Sequence, residues 1–266
     1  MTAAHRRRAS IGLSRRTPLT TVLRDAVSLF VTGFGYAGTV VGVPLALGVI
    51  ALRRLTGFSP RLDRVIRFTS AMLPALFGIV GRVHGSRNVG PSTDQPYLVV
   101  ANHVNIFDGF LLRGYLPASL PLRGIELESH FTWPVYGTAT RLYGNVPIPH
   151  NAPRVALGRL NRARLLLESG ISLVVLPEGH RTRDGRLQRF MIGPFRLAKA
   201  AGVGILPVAL CTSYRLKRVG SLRIRPGTAA LRIGAPISPE SVAALGEREL
   251  RDHMRGRIAS LMTQEP

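Results

Sequence analysis

Two residue types are nearly missing from this 266-residue chain, cysteine and lysine. Cys211 is the single cysteine, which excludes an intramolecular disulfide and any metal site built on several thiolates, and fits a reducing compartment. Lys199 and Lys217 are the only lysines, so the formal charge of +22 is carried by arginine. Aromatic residues make up only 6% of the chain. No stretch alternates them with basic residues as a stacking surface for bases requires, so nucleic acid is not an expected partner. The remaining anionic partners are phosphorylated substrates and an acidic membrane surface. The seven histidines show no ligand spacing, so no metal is expected.

Charge itself is missing from Ala26 to Leu52. As a helix this run reaches about 40 Å at ~1.5 Å per residue, enough for a hydrocarbon core of ~30 Å. Gly33, Gly35, Gly38, Gly42, Pro44 and Gly48 are points where it could bend or break. A second uncharged run, Phe68 to Gly81, is too short to span and reads as a buried or interfacial helix. Arginines flank the first run on both sides, from Arg6 to Arg24 and from Arg53 to Arg67. A spanning helix usually shows charge asymmetry, so the pattern favours a hairpin dipping into one leaflet, with a single spanning anchor as the alternative. "SRRTPLT" pairs two arginines, but no convincing small-residue cleavage site follows, and export is not expected.

After Gly85 the texture changes to short apolar runs alternating with amphipathic segments. "YLVVA" (97–101), "LPLRGIEL" (120–127), "ISLVVLP" (171–177), "VGILPVAL" (203–210), "LRIRP" (222–226) and "AALRIG" (229–234) read as strands. Residues 153–169, stopped by Gly170, 193–202 and 239–262 read as helices. The expected organisation is a basic, poorly ordered N-terminus (1–18), an apolar helical membrane-anchoring region (19–84) and an α/β domain (85–266). In such a domain functional groups sit at strand ends.

Two loops at predicted strand ends carry chemistry. "NHVNIFDGF" places His103 five residues ahead of Asp108. On one α-helix these positions differ by roughly 140° around the axis, so contact requires a turn between strand and helix. There the carboxylate would fix the imidazole tautomer and raise the basicity of the other ring nitrogen. The alternative is a helix-capping aspartate beside an ordinary loop histidine. "LPEGHRTRDGR" sets Glu178, Arg181 and Arg183 in a glycine-bearing loop, where a guanidinium can hold phosphate and Glu178 can orient it or accept from a substrate hydroxyl. A solvated turn with a surface salt bridge is the alternative. Pro207, within "ILPV", signals a strand edge or bulge.

At these residues the sequence resembles the glycerolipid acyltransferase family, whose bacterial members include 1-acylglycerol-3-phosphate acyltransferases. The family's Asn-His, four residues, then Asp block matches Asn102, His103 and Asp108; its Pro-Glu-Gly-Thr-Arg block matches Pro177, Glu178, Gly179 and Arg181, with His180 in the threonine position. Phe190 and Gly193 fit a downstream Phe-x-x-Gly, and Pro207 fits the proline-centred block. The remaining block departs: "YGNVPIPHN" offers Gly144, Pro147 and Ile148, with His150 where an arginine is usual and Arg141 or Arg154 as substitutes. The resemblance implies a mixed sheet flanked by helices behind a membrane-associated helical hairpin, on the cytoplasmic face of the cell membrane among anionic lipids. It also implies acyl transfer from acyl-CoA or acyl carrier protein to a lysolipid hydroxyl, foremost 1-acylglycerol-3-phosphate giving phosphatidic acid, with no cofactor beyond that co-substrate. His103 would be the base and Asp108 its partner; Asn102, Gly144, Glu178, Gly179, Arg181 and Pro207 would bind substrate. Another lysolipid acceptor, or a catalytically weak lipid-binding protein, are the alternatives.

Overall fold

A computed structural model of the protein describes residues 18–55, 62–90, 95–149 and 153–264. It opens with a single long helix, α1 (Pro18–Leu55), which neither its glycines nor the internal Pro44 interrupts. α1 packs on α2 (Leu62–Leu76), and a Cβ on Gly35 would lie 2.3 Å from the ring of Phe77, just past the end of α2. Only the absence of that atom lets helix and ring meet so closely. The Tyr36 ring adds an edge contact to Phe77 at 5.2 Å.

The face α1 turns inward is small and hydroxylic, with Ser28, Thr32 and Gly35 buried, while Phe30 is 75% exposed and Val40 74% exposed. In a water-soluble helix the apolar stripe faces the core; here the polarity is reversed. Val22–Leu45 is long and apolar enough to cross a membrane, and only 17% of that window is buried.

The second uncharged run is not one helix. α2 stops at Leu76, Gly78 turns the chain at φ 67°, and Ile79 begins strand β1 (Ile79–His84). The sheet therefore starts ahead of the boundary expected at residue 85. β1 is invisible locally because its ladder partner is β7 (Gly227–Ile233), far along the chain.

The rest of the chain supplies β2 (Tyr97–Ala101), α3 (Asp108–Tyr115), β3 (Leu122–Leu127), α4 (Tyr136–Leu142), β4 (Val146–Ile148), α5 (Pro153–Glu168) and β5 (Ser172–Val175). These are followed by α6 (Gly193–Ala201), β6 (Gly204–Leu210), α7 (Ser213–Leu216), β7, α8 (Pro239–Ala244) and α9 (Glu247–Thr263). Seven strands form one sheet in the order β1-β7-β6-β2-β5-β3-β4. All neighbours are parallel except β6 and β7, so the fold is a mixed α/β sheet flanked by helices. Five strands, β2 to β6, point their C-terminal ends the same way.

β2 is the hub. Val99 and Ala101 join one core layer with α3 residues Leu111 and Leu112; Leu98 and Val100 join the other with Phe195 of α6 and Met254 of α9. That alternation, buried on both faces, is why "YLVVA" is uniformly apolar. The expected strand at 222–226 is a loop. Its backbone bonds are taken by α1 instead: Thr32 Oγ1 accepts from the Ile224 N–H at 3.0 Å, and Ser28 Oγ donates to the Ile224 carbonyl at 2.7 Å. Pro207 is not on an edge strand but inside β6, in register with Val100 of β2. Its missing N–H lies on the other side, where the Ile205–Ile237 bridge gives way to the β7 ladder at Val208.

Candidate active site

β2 delivers Asn102 and His103 to the C-terminal end of the sheet. The Asn102 side chain is buried and fully engaged with the end of β6: Nδ2 donates to the Leu210 carbonyl at 3.0 Å and Oδ1 accepts from the Leu210 N–H at 2.7 Å. It is a clamp between two strand ends beside the histidine. The chain then turns through Val104–Phe107 into α3, whose first residue is Asp108.

Asp108 is fully buried, and its Oδ2 accepts from the Val104 and Asn105 backbone N–H groups and meets His103 Nδ1 at 2.8 Å. An ionised carboxylate only accepts, so Nδ1 carries the hydrogen and Nε2 keeps its lone pair. The His103 side chain is 22% exposed, enough to present Nε2 to a ligand while Asp108 stays dry. Asn105 stiffens the turn, accepting from the Phe107 N–H and donating to the Ser213 carbonyl, both at 2.8 Å. The sequence reading passed over Asn105, although it sits inside the same motif.

The loop after β5 closes on the opposite side of His103. Glu178 Oε1 accepts from the His103 N–H at 2.6 Å and Oε2 from the Gln188 N–H at 2.7 Å. The carboxylate thus positions the histidine backbone. Burial pushes the Glu178 carboxyl above the usual range, opposed by those two N–H groups. The Thr182 N–H in turn donates to the His103 carbonyl at 2.9 Å, which fixes Arg181 immediately beside the histidine. Arg181 is half-buried and forms no ion pair among the described residues. Gly179 turns this loop at φ 73°, with Met191 where a side chain would go.

The geometry is shared with known proteins. The Acyltransferase family profile matches residues 81–211, the span from β1 to the end of β6. A chloroplastic 1-acyl-sn-glycerol-3-phosphate acyltransferase of Arabidopsis thaliana is 33% identical over 139 residues, covering 52% of this chain and 38% of the relative. The human 1-acyl-sn-glycerol-3-phosphate acyltransferase alpha is 29% identical over 212 residues, covering 77% of this chain and 72% of the relative. Over just under half of its length the chain is similar to the glycerolipid acyltransferase family. It spans about two fifths of the length of the Arabidopsis relative. The crystal structure of the 1-acyl-sn-glycerophosphate acyltransferase PlsC from Thermotoga maritima shares the fold, with a TM-score of 0.76 at 24% identity over 91% of this chain and 99% of that one.

Two residues matched to the family's blocks stand away from His103. Gly144 precedes β4 at φ 73°, at the N-terminal end of the parallel strands, where its nearest side-chain neighbour is Arg123. Its position closes α4 and starts β4. Pro207 lies in the body of β6, before the Leu210 clamp. His150 lies outside the described residues, as do the side chain of Arg154 and residues 1–17. Arg141 donates from one guanidinium nitrogen to the Phe131 carbonyl. Burial pushes the Cys211 thiol up, which disfavours the thiolate form.

Proposed function

We propose that the protein is a membrane-associated acyltransferase that moves a fatty acyl group from a thioester donor, acyl-CoA or acyl carrier protein, to the free hydroxyl of 1-acylglycerol-3-phosphate. The observation that carries this reading is the His103–Asp108 pair, held at 2.8 Å with Nε2 left as a base. Nε2 takes the acceptor's hydroxyl proton as the oxygen attacks the thioester carbonyl. The carbon–sulfur bond then breaks and the imidazolium returns the proton to the leaving thiolate. Asp108 stabilises the transient imidazolium, and general-base help of this kind is worth roughly 10²–10⁴ in rate. Arg181, next to His103, is suited to the acceptor's phosphate by charge-assisted bonds. The outward apolar face of α1 supports a site at a bilayer, where both the acceptor and the product reside.

The test is His103→Ala assayed with labelled acyl-CoA against a panel of lysolipids. Transfer to 1-acylglycerol-3-phosphate is expected to fall by about 10²–10⁴, with thermal unfolding and vesicle binding unchanged. Near-normal transfer by that variant would remove His103 as the base.

A further inference from the structure

Beyond the C-terminal ends of β1 and β7 lies a cleft of about 370 Å³, apart from His103 and the loops that hold it. His84, Asn88, Arg232, Arg257, Ser260 and Gln264 line it, and among the described residues no carboxylate does. Arg232 is only 8% exposed. Its Nη1 donates to the Leu261 carbonyl at 2.9 Å, and Arg257 Nη2 donates to the Ala235 carbonyl, also at 2.9 Å. Carbonyls carry no net charge, and neither arginine forms an ion pair among the described residues. A buried charge is ordinarily paired with its opposite, and Arg232 has no such partner. The negative end of α9 accounts for one cation near Leu261. It does not account for a second, nor for an open cleft between them.

The topology says from which side this cleft is filled. β7 is antiparallel to β6 and parallel to β1, so the C-terminal ends of β1 and β7 point away from the end of the sheet where β2 delivers His103. The same two strands begin beside α1: the Gly227 N–H donates to the Gly78 carbonyl, and Ser28 and Thr32 hold Ile224 just upstream. From Gly227 to Ile233, β7 covers about 20 Å at ~3.3 Å per residue. The cleft and the α1 anchorage thus stand at opposite ends of one strand, and an occupant of the cleft arrives from water rather than from lipid.

We propose that this cleft binds the phosphate monoester group of a small water-soluble molecule, held between the guanidinium groups of Arg232 and Arg257. Guanidinium forks match phosphate oxygens through paired charge-assisted bonds. A monoester carries close to two negative charges at neutral pH, the number that two arginines balance. The Ser260 hydroxyl and the Gln264 amide supply neutral polar groups beside them. The volume lies at the small end of ligand pockets, which sets a small molecule as the ligand. The site stands apart from acyl transfer and does not depend on that reading.

The experiment titrates the purified full chain with methyl phosphate by calorimetry at fixed ionic strength in chloride. Arg257→Gln, which keeps a donor for the Ala235 carbonyl, is expected to raise Kd at least tenfold, and Arg257→Lys to recover part of the loss. Dimethyl phosphate, with one charge, is expected to bind at least tenfold more weakly than methyl phosphate. Arg181→Gln is expected to leave Kd within about twofold. Binding that survives Arg257→Gln, or that is lost in Arg181→Gln, overturns the proposal. A second readout needs no variant: methyl phosphate is expected to slow hydrogen exchange at least threefold in residues 230–235 and 257–264 of the wild type. Exchange that is unchanged there, or slowed only around His103, overturns the proposal. Vesicles containing phosphatidic acid, a monoester held in lipid, are expected to leave those two segments unchanged; protection by the vesicles without protection by methyl phosphate overturns the assignment to a soluble ligand.

Discussion

β2 and the Ala26–Leu52 stretch of α1 are both drawn from uncharged residues, yet they present them to opposite surroundings. Leu98, Val99, Val100 and Ala101 are each fully buried, split by strand alternation between two core layers. α1 buries Ser28 and Thr32 and leaves Phe30, Phe34, Val40 and Val41 exposed. Apolar composition alone does not say which way a segment faces. What separates the two is where their hydrogen-bonding groups are satisfied. β2 is flanked by β5 and β6, whose ladders take up its backbone, with the Ser172 hydroxyl accepting from the Tyr97 N–H at its start. α1 satisfies its own backbone and uses its hydroxyls to complete a distant loop, so its apolar residues are left facing outward.

The comparison is most easily broken by paired truncations. Leu98→Ala is expected to cost 2–5 kcal/mol in chemical unfolding, the range for a large-to-small change in a packed core. Phe30→Ala is expected to leave unfolding within about 0.5 kcal/mol. It should instead weaken vesicle binding by about tenfold to a hundredfold, from the ~1.5–3 kcal/mol of a buried aromatic side chain. A Phe30→Ala protein that unfolds like Leu98→Ala, or binds vesicles like wild type, would show that α1 belongs to a protein core.

Asn102→Ala sharpens the contrast at the strand ends. It strips the Leu210 N–H and carbonyl of their partners, for an expected loss of about 1–3 kcal/mol. Because the clamp sits next to His103, kcat is expected to fall with KM little changed; a stable variant with full kcat would reduce Asn102 to packing. Thr32→Val is the mildest change, about 1 kcal/mol. Faster hydrogen exchange confined to residues 222–226 is its expected signature, and unchanged exchange there would detach α1 from the loop.

Sequence patterns revealed what is locally encoded. "YLVVA", "ISLVV" and "VGILPVAL" are strands where expected, because central parallel strands are written as continuous apolar runs. His103 and Asp108 were legible because a strand, a tight turn and a helix start lie within one short motif. Long-range satisfaction was not legible. "LRIRP" has the composition of a strand, but its bonds are met by hydroxyls some 190 residues earlier. β1 was hidden in an apolar run because only β7 makes it a strand. The true partner of Glu178 is a backbone N–H, and a side chain that serves the backbone leaves no spacing signature. Pro207 looked like an edge marker because sequence cannot show that its bare nitrogen faces a break in the neighbouring ladder.

The bonds from Ser28, Thr32 and Asp25 to the 223–224 segment have a consequence for orientation. A catalytic domain on a flexible leash can tumble and meets its lipid at random angles. This one is moored along a helical face, so on the membrane-bound reading proposed above the roll of α1 about its own axis sets the angle at which His103 meets the bilayer plane. For a lipid already aligned by the membrane, much of the angular search is then completed before any encounter begins.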